Sequence, residues 1–120
     1  MTRMESFSKV ENELLPKFRK MTNEAESTED VKKFFVYSMQ ELFAQAFAGQ
    51  LNLRFEDIAL SPDGEQPFVI DEQVRTRKDF IAMWQASDLS QIVTRFAELA
   101  VGHYKHLDKN PRKTEAKIRM

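Results

Sequence analysis

The longest helical pattern of apolar residues in the chain runs from Thr28 to Ala48 without a glycine or proline. It opens on Ser-Thr-Glu-Asp at 27–30, where a hydroxyl oxygen can cap free backbone amides and the acids match the positive end of the helix dipole. It closes at Gly49, a residue that favours a left-handed C-terminal cap. Its apolar positions cover well over half of a helical wheel, so the pattern predicts a central helix packed on more than one side. These positions are Val31, Phe34, Phe35, Met39, Leu42, Phe43, Ala46 and Phe47.

An amphipathic helix is predicted before it, over residues 4–21. Its apolar face consists of Met4, Phe7, Val10, Leu14, Phe18 and Met21. Pro16 falls on the opposite face, but its ring clashes with the carbonyl of Asn12 and disfavours helix at Leu15. The sequence therefore predicts a kink or a break near Leu15.

The period changes after Gly49. Leu51, Leu53 and Phe55 alternate with polar residues, which predicts a strand with one buried face. The alternation then slips at Glu56-Asp57, indicating a bulge or a short break before Ile58 and Leu60. Ser-Pro-Asp-Gly at 61–64 is a strong turn signal. A second short strand follows at residues 68–70 (Phe-Val-Ile), so the region predicts a β-hairpin.

Helical patterns return in the last part of the chain. Residues 78–86 predict a short helix with Phe80, Met83 and Trp84 on one side, and Ser87-Asp88 predicts the N-cap of a long helix over 88–107. The expected fold is a helix-dominated α+β domain: two helices, a short β-hairpin, then two helices, arranged around the helix at 28–48. Residues 1–108 form this single domain, and residues 109–120 are expected to be a basic, flexible tail.

Composition narrows the class of protein. The chain has 120 residues, 42% of them hydrophobic and 31% charged, which suits one globular domain and excludes wholesale disorder. The absence of cysteine excludes disulfide scaffolds, thiol catalysis and thiolate metal sites. The start of the sequence lacks the apolar block of a signal peptide, and no apolar run is long enough to span a membrane. A cytoplasmic location without membrane attachment is therefore expected.

The two histidines, His103 and His106, are the first candidates for chemistry. Their spacing of three places them on adjacent sides of one helical turn, with Asp108 following, and such a pair can share a metal ion. His103 also falls inside the apolar stripe of its helix, which favours a partly buried His103 and a surface His106. The chain carries no GxSxG, GxGxxG or Walker pattern. We therefore predict no cofactor, no metal and no catalytic residue, and the chain is more consistent with a non-enzyme.

Charge is distributed unevenly along the chain. Residues 22–88 carry thirteen acids and six bases, a net of −7, whereas residues 103–120 carry six bases and two acids, a net of +4. The basic tail could contact nucleic-acid phosphates, and residues 78–100 have the outline of a helix-turn-helix. However, Arg95 is the only base between Leu89 and Gly102, whereas a recognition helix normally presents more. Nucleic-acid binding is therefore the less favoured reading.

The predicted function is that of a small cytoplasmic interaction or regulatory protein acting as a homo-oligomer. In a twofold dimer, the basic tail of one copy can reach the acidic centre of the other. Ten phenylalanines and a two-stranded hairpin, which is marginal when isolated, also favour association. The candidate interface residues lie on the shortest elements: Phe55, Phe68, Met83 and Trp84. The alternatives are a nucleic-acid-associated protein using the tail, or a small-ligand or metal-binding enzyme around His103 and His106.

Overall fold

The computed structural model of the protein describes residues 6–109, and this part of the chain is a helix-dominated α+β domain, as the sequence predicts. Five helices and one β-hairpin occur within these residues. In chain order the elements are α1 (Ser8–Asn23), α2 (Thr28–Ala46), β1 (Ile58–Leu60), β2 (Phe68–Ile70), α3 (Glu72–Arg75), α4 (Lys78–Ala86) and α5 (Leu89–Lys109). The predicted tail lies outside the described residues, apart from Lys109, which is the last residue of α5.

Helix α1 runs without a break through Pro16, so the predicted alternative of two separate helices is wrong. Pro16 is exposed, which places its ring on the face that turns away from the core. Leu14 and Phe18 on the opposite face are buried. Burial of that face holds the helix together, even though proline removes one backbone hydrogen bond.

Helix α2 is the centre of the fold. The Ser27 hydroxyl accepts a hydrogen bond from the Asp30 amide at 3.1 Å, as its cap sequence predicts. Seven of its apolar side chains are buried, and the helix packs against α1, α5 and β1. The helix ends two residues earlier than predicted, because both Ala48 (φ 50°) and Gly49 (φ 81°) adopt left-handed conformations. The Gly49 amide then donates to the Ala44 carbonyl at 2.9 Å and closes the helix end.

The strand predicted from Leu51 onward is wrong for its first half. Leu51 and Leu53 are buried, but the chain there is extended without strand pairing, and Phe55 begins a single 3₁₀ turn that ends at Asp57. The break predicted at Glu56-Asp57 is this turn. Strand pairing is confined to β1 and β2, which are antiparallel with Ala59 opposite Val69.

The predicted N-cap residues Ser87 and Asp88 bind two different helix starts. The Ser87 hydroxyl accepts from the Leu89 amide at 3.2 Å and so caps the start of α5. The Asp88 carboxylate instead accepts from the Phe7 amide at 2.8 Å and from the Ser6 hydroxyl at 3.1 Å. The starts of α1 and α5 are therefore held together at one point.

Helices α1, α2 and α5 share the main core. The Phe18 and Phe96 rings lie 5.0 Å apart at its centre, and both side chains are fully buried. At the edge of the α1–α5 contact, Arg95 donates two hydrogen bonds to the nearly buried Glu11 carboxylate, at 2.6 and 2.8 Å. Arg95, the base noted for a recognition helix, thus contacts α1. Within residues 6–109, none of the helices combines the length and apolarity needed to cross a bilayer.

Candidate functional site

The main candidate site is a cleft of about 520 Å³ between β2 and α4, which we call the hairpin–α4 cleft. The cleft lies on the β2 side of the hairpin, with the 61–67 turn at one end and Arg75 at the other. Its walls and floor are mainly apolar. The lining includes Glu65, Phe68, Val69, Arg75, Phe80 and Trp84.

The floor of the cleft is part of a chain of aromatic rings that extends into the core. Trp84 stacks on Phe80 with ring centroids 5.0 Å apart and meets the edge of Phe68 at 6.2 Å. Phe80 in turn stacks on the buried Phe43 of α2 at 6.2 Å. Because each ring rests on the next, the cleft has a firm apolar surface rather than a collapsible one.

Within residues 6–109, no strand pairs with the edge of β2 that faces away from β1, and this open edge borders the cleft. Backbone hydrogen bonds join the Ser61 amide to the Pro67 carbonyl at 2.8 Å and the Asp71 amide to the Asp57 carbonyl at 2.7 Å. In an antiparallel ladder, alternate residues point their amide and carbonyl groups toward the partner strand. The register between these two bonds therefore turns the backbone groups of Phe68 and the amide of Ile70 away from β1, toward the cleft.

Two side chains hold the hairpin in place beside the cleft. Asp57 is a buried residue with only 5% of its surface exposed. Its carboxylate accepts hydrogen bonds from the backbone amide of Arg54 at 2.8 Å and from the guanidinium of Arg54 at 3.0 Å. Burial alone would raise the pKa of Asp57, but these hydrogen bonds outweigh it and lower the pKa below its ordinary value. At the same open end of the hairpin, but on β2, the Arg75 guanidinium donates to the Ile70 carbonyl at 2.9 Å.

The four candidate interface residues do not form one cluster. Phe68 and Trp84 line the cleft together, whereas Met83 is half-buried on α4. Phe55 is 48% exposed and its ring lies 5.9 Å from that of Tyr37 on α2. Sequence reasoning missed Val69, which is 56% exposed. The alternation of Phe68, Val69 and Ile70 could have marked it as the outward residue of its strand.

The two histidines lie near the end of α5, beside the link between α1 and α2. His103 is half-buried and His106 is exposed, and both line a small recess with Thr22 and Asn23. Among residues 6–109, no three His, Cys, Asp or Glu side chains are placed to hold a metal ion. Burial, and secondarily the neighbouring His106, lowers the pKa of His103 below its ordinary value.

The lowered pKa of His103 predicts a pH-dependent stability. The unfolded chain binds a proton at His103 more readily than the folded chain does. The stability that depends on a neutral His103 is therefore fully present above the unfolded pKa of about 6.5. It is lost as the pH falls from there through the lower folded value. Urea unfolding at pH 7.5 and pH 5.5 should show a smaller pH effect for His103→Gln than for the unchanged chain. His106→Gln removes the smaller of the two causes of the lowered pKa of His103, and it should reduce the pH effect less than His103→Gln does. The same change in the free energy of unfolding between the two pH values for all three chains would contradict the assignment.

The described part of the chain thus combines an apolar cleft, an open strand edge and an anchored hairpin. Comparison of the chain with known protein families, with curated proteins and with solved structures gave no match.

Proposed function

We propose that the protein is a small interaction or regulatory protein that acts as a homo-oligomer, and that its contact surface is the hairpin–α4 cleft. The observation that carries the proposal is the open edge of β2 beside a firm aromatic floor. An added strand gains backbone hydrogen bonds from such an edge, and its alternate side chains gain apolar contacts from the floor. The two features together are those of a strand-addition site.

A second observation supports association through this surface. Each strand of the hairpin has only three residues, so the sheet offers few backbone hydrogen bonds of its own. Val69 adds an exposed apolar side chain on the outer face of the same edge. Exposed edges of this kind are usually blocked by charged side chains in proteins that stay monomeric. An exposed Val69 therefore favours pairing of this edge with another strand.

The test is the molar mass of the full chain in solution, measured by size-exclusion chromatography with light scattering over a range of concentrations. The unchanged chain should approach twice its 14.1 kDa mass. Val69→Lys should lower the association constant by roughly tenfold or more, because the ammonium group opposes an incoming strand. Val69 is exposed, so circular dichroism and the melting temperature should stay close to those of the unchanged chain.

Ile81→Lys provides the matched control, since Ile81 is 41% exposed on α4 but does not line the cleft. It introduces the same charge in place of a similar apolar side chain, and it should leave the association constant within about twofold, because it lies outside the contact. A monomer at all concentrations would overturn the proposal. Equal weakening by Val69→Lys and Ile81→Lys would place the contact elsewhere.

A further inference from the structure

A strand that adds to β2 in the hairpin–α4 cleft would need apolar residues at alternate positions, and one stretch of the sequence has that alternation. In residues 114–120, the uncharged positions alternate with charged ones. The uncharged set is Thr114, Ala116, Ile118 and Met120, and the charged set is Glu115, Lys117 and Arg119. In an extended backbone these two sets fall on opposite faces. One face would therefore meet the aromatic floor and the other would meet solvent and the rim.

Charge complementarity gives the segment a direction. The cleft has Glu65 at its turn end and Arg75 beside Ile70 at the other end. In the segment, Glu115 precedes Lys117 and Arg119. Opposite charges meet when Glu115 lies toward the Arg75 end and the two bases lie toward the Glu65 end. The segment then runs antiparallel to β2, which also continues the antiparallel order of the hairpin.

The same direction favours a segment from a second copy over the chain's own. Lys105 of α5 lines a shallow groove together with Pro62, Glu65 and Pro67, so α5 approaches the cleft at its turn end. Residues 110–114 can span only about 17 Å when fully extended. A segment entering from its own α5 would reach the turn end first and run parallel to β2, with Glu115 beside Glu65. A second copy has no such restriction.

We propose that residues 114–120 of a second copy add to β2 as an antiparallel strand, with Ile118 placed over Phe80 and Trp84. This inference rests on the proposed function and names the part of the partner that fills the cleft. The exchange is reciprocal in a twofold dimer, because each copy supplies one segment and one cleft. It also defines the partner chemistry of the cleft as an extended, basic segment with alternating apolar residues.

The test compares two substitutions that add the same negative charge to the full chain. Ile118→Asp places a carboxylate over the aromatic floor and should raise the dimer dissociation constant roughly tenfold or more. Asn110→Asp adds its charge ahead of the proposed strand, and it should therefore change the constant by less than about twofold. Trp84, the only tryptophan in the chain, gives a second measurement. Its emission should shift to longer wavelength in Ile118→Asp at concentrations where the unchanged chain is dimeric.

A synthetic peptide of residues 112–120 identifies the contact directly. Added to full-length Ile118→Asp, it should return the Trp84 emission toward that of the dimer, whereas a peptide with glutamates at 117 and 119 should not. If Val69→Lys weakens the dimer but Ile118→Asp does not, the inference is overturned while the proposed function stands. If the chain is monomeric throughout, both fail. An emission shift in a monomeric chain would indicate docking within one copy and would overturn exchange.

Discussion

Phe43→Ala is expected to lower the free energy of unfolding by about 3–5 kcal/mol, the usual cost of emptying a phenylalanine site in a closed core. Phe43 has no exposed surface and lies on the central helix α2. Its ring stacks with Phe47 at 5.7 Å and with Phe80 at 6.2 Å. Its removal therefore leaves a cavity between α2 and α4 that neither neighbouring ring can fill without moving. Urea unfolding followed by circular dichroism measures the change.

Tyr37→Ala is the matched control for that substitution. Tyr37 lies on the same helix but is 48% exposed, and its ring contact is with the equally exposed Phe55. Its loss should cost no more than about 1 kcal/mol, as is usual for surface positions. A similar cost for the two variants would mean that Phe43 does not lie in a closed core. Phe43→Ala should also shift the emission of Trp84, because Phe80 loses the ring on which it rests.

The second large effect is expected at the ion pair between α1 and α5. The Glu11 side chain is only 10% exposed, whereas that of Arg95 is 51% exposed. Arg95→Ala leaves a nearly buried carboxylate without its two hydrogen bonds, and we expect a loss of about 2 kcal/mol, less than for a fully buried pair. Glu11→Leu leaves only a guanidinium that water can reach, so it should cost less than about 1 kcal/mol.

Arg95→Ala should therefore lower the free energy of unfolding more than Glu11→Leu does. Arg95→Lys separates charge from geometry, because an ammonium group cannot make the paired hydrogen bonds of the guanidinium plane. Its cost should fall between those of Arg95→Ala and Glu11→Leu in the same urea experiment. Equal losses for Arg95→Ala and Glu11→Leu would show that the carboxylate is as well hydrated as the guanidinium.

The helical part of the fold follows closely from the sequence. The cap at Ser27 and most of the predicted apolar positions of the central helix each correspond to a local physical cause, and the structure confirms them, although Phe34 is only half-buried. The short helix at Lys78–Ala86 has its predicted bounds. Local patterns sufficed here because helix caps and helical faces are properties of neighbouring residues. The uninterrupted course of α1 through Pro16 required the burial of Leu14 and Phe18 against other helices, which local preference does not contain.

The region between α2 and the hairpin shows where local pattern fails. Leu51 and Leu53 alternate with polar residues as a strand would, and both are buried. The backbone there is instead held by side chains, since the side-chain amide of Gln40 donates to the Leu53 carbonyl at 3.0 Å. The interaction between Arg54 and Asp57 then curls the chain into a turn. Alternating burial identifies an extended chain, but only a paired neighbour makes it a strand.

The candidate site was predictable only in part. Phe68 and Trp84 could be selected because short elements bury large side chains poorly, and both line the cleft. The same reasoning selected Phe55, which faces Tyr37 instead. The open edge of β2 and the position of Arg75 at the end of the cleft depend on how the hairpin sits beside α4. That arrangement arises from contacts between distant residues and has no local sequence signal.

The hydrogen bonds at the start of α1 also bear on the order in which the chain folds. Phe7 and Glu11 find their partners in Asp88 and Arg95, which lie 81 and 84 residues further along the chain. Closing a loop of that length costs entropy before any contact compensates for it. During synthesis, α1 leaves the ribosome before α5 and cannot complete these contacts until the beginning of α5 has been made. Helix α1 can pack on α2 early, but its attachment to α5 has to form late.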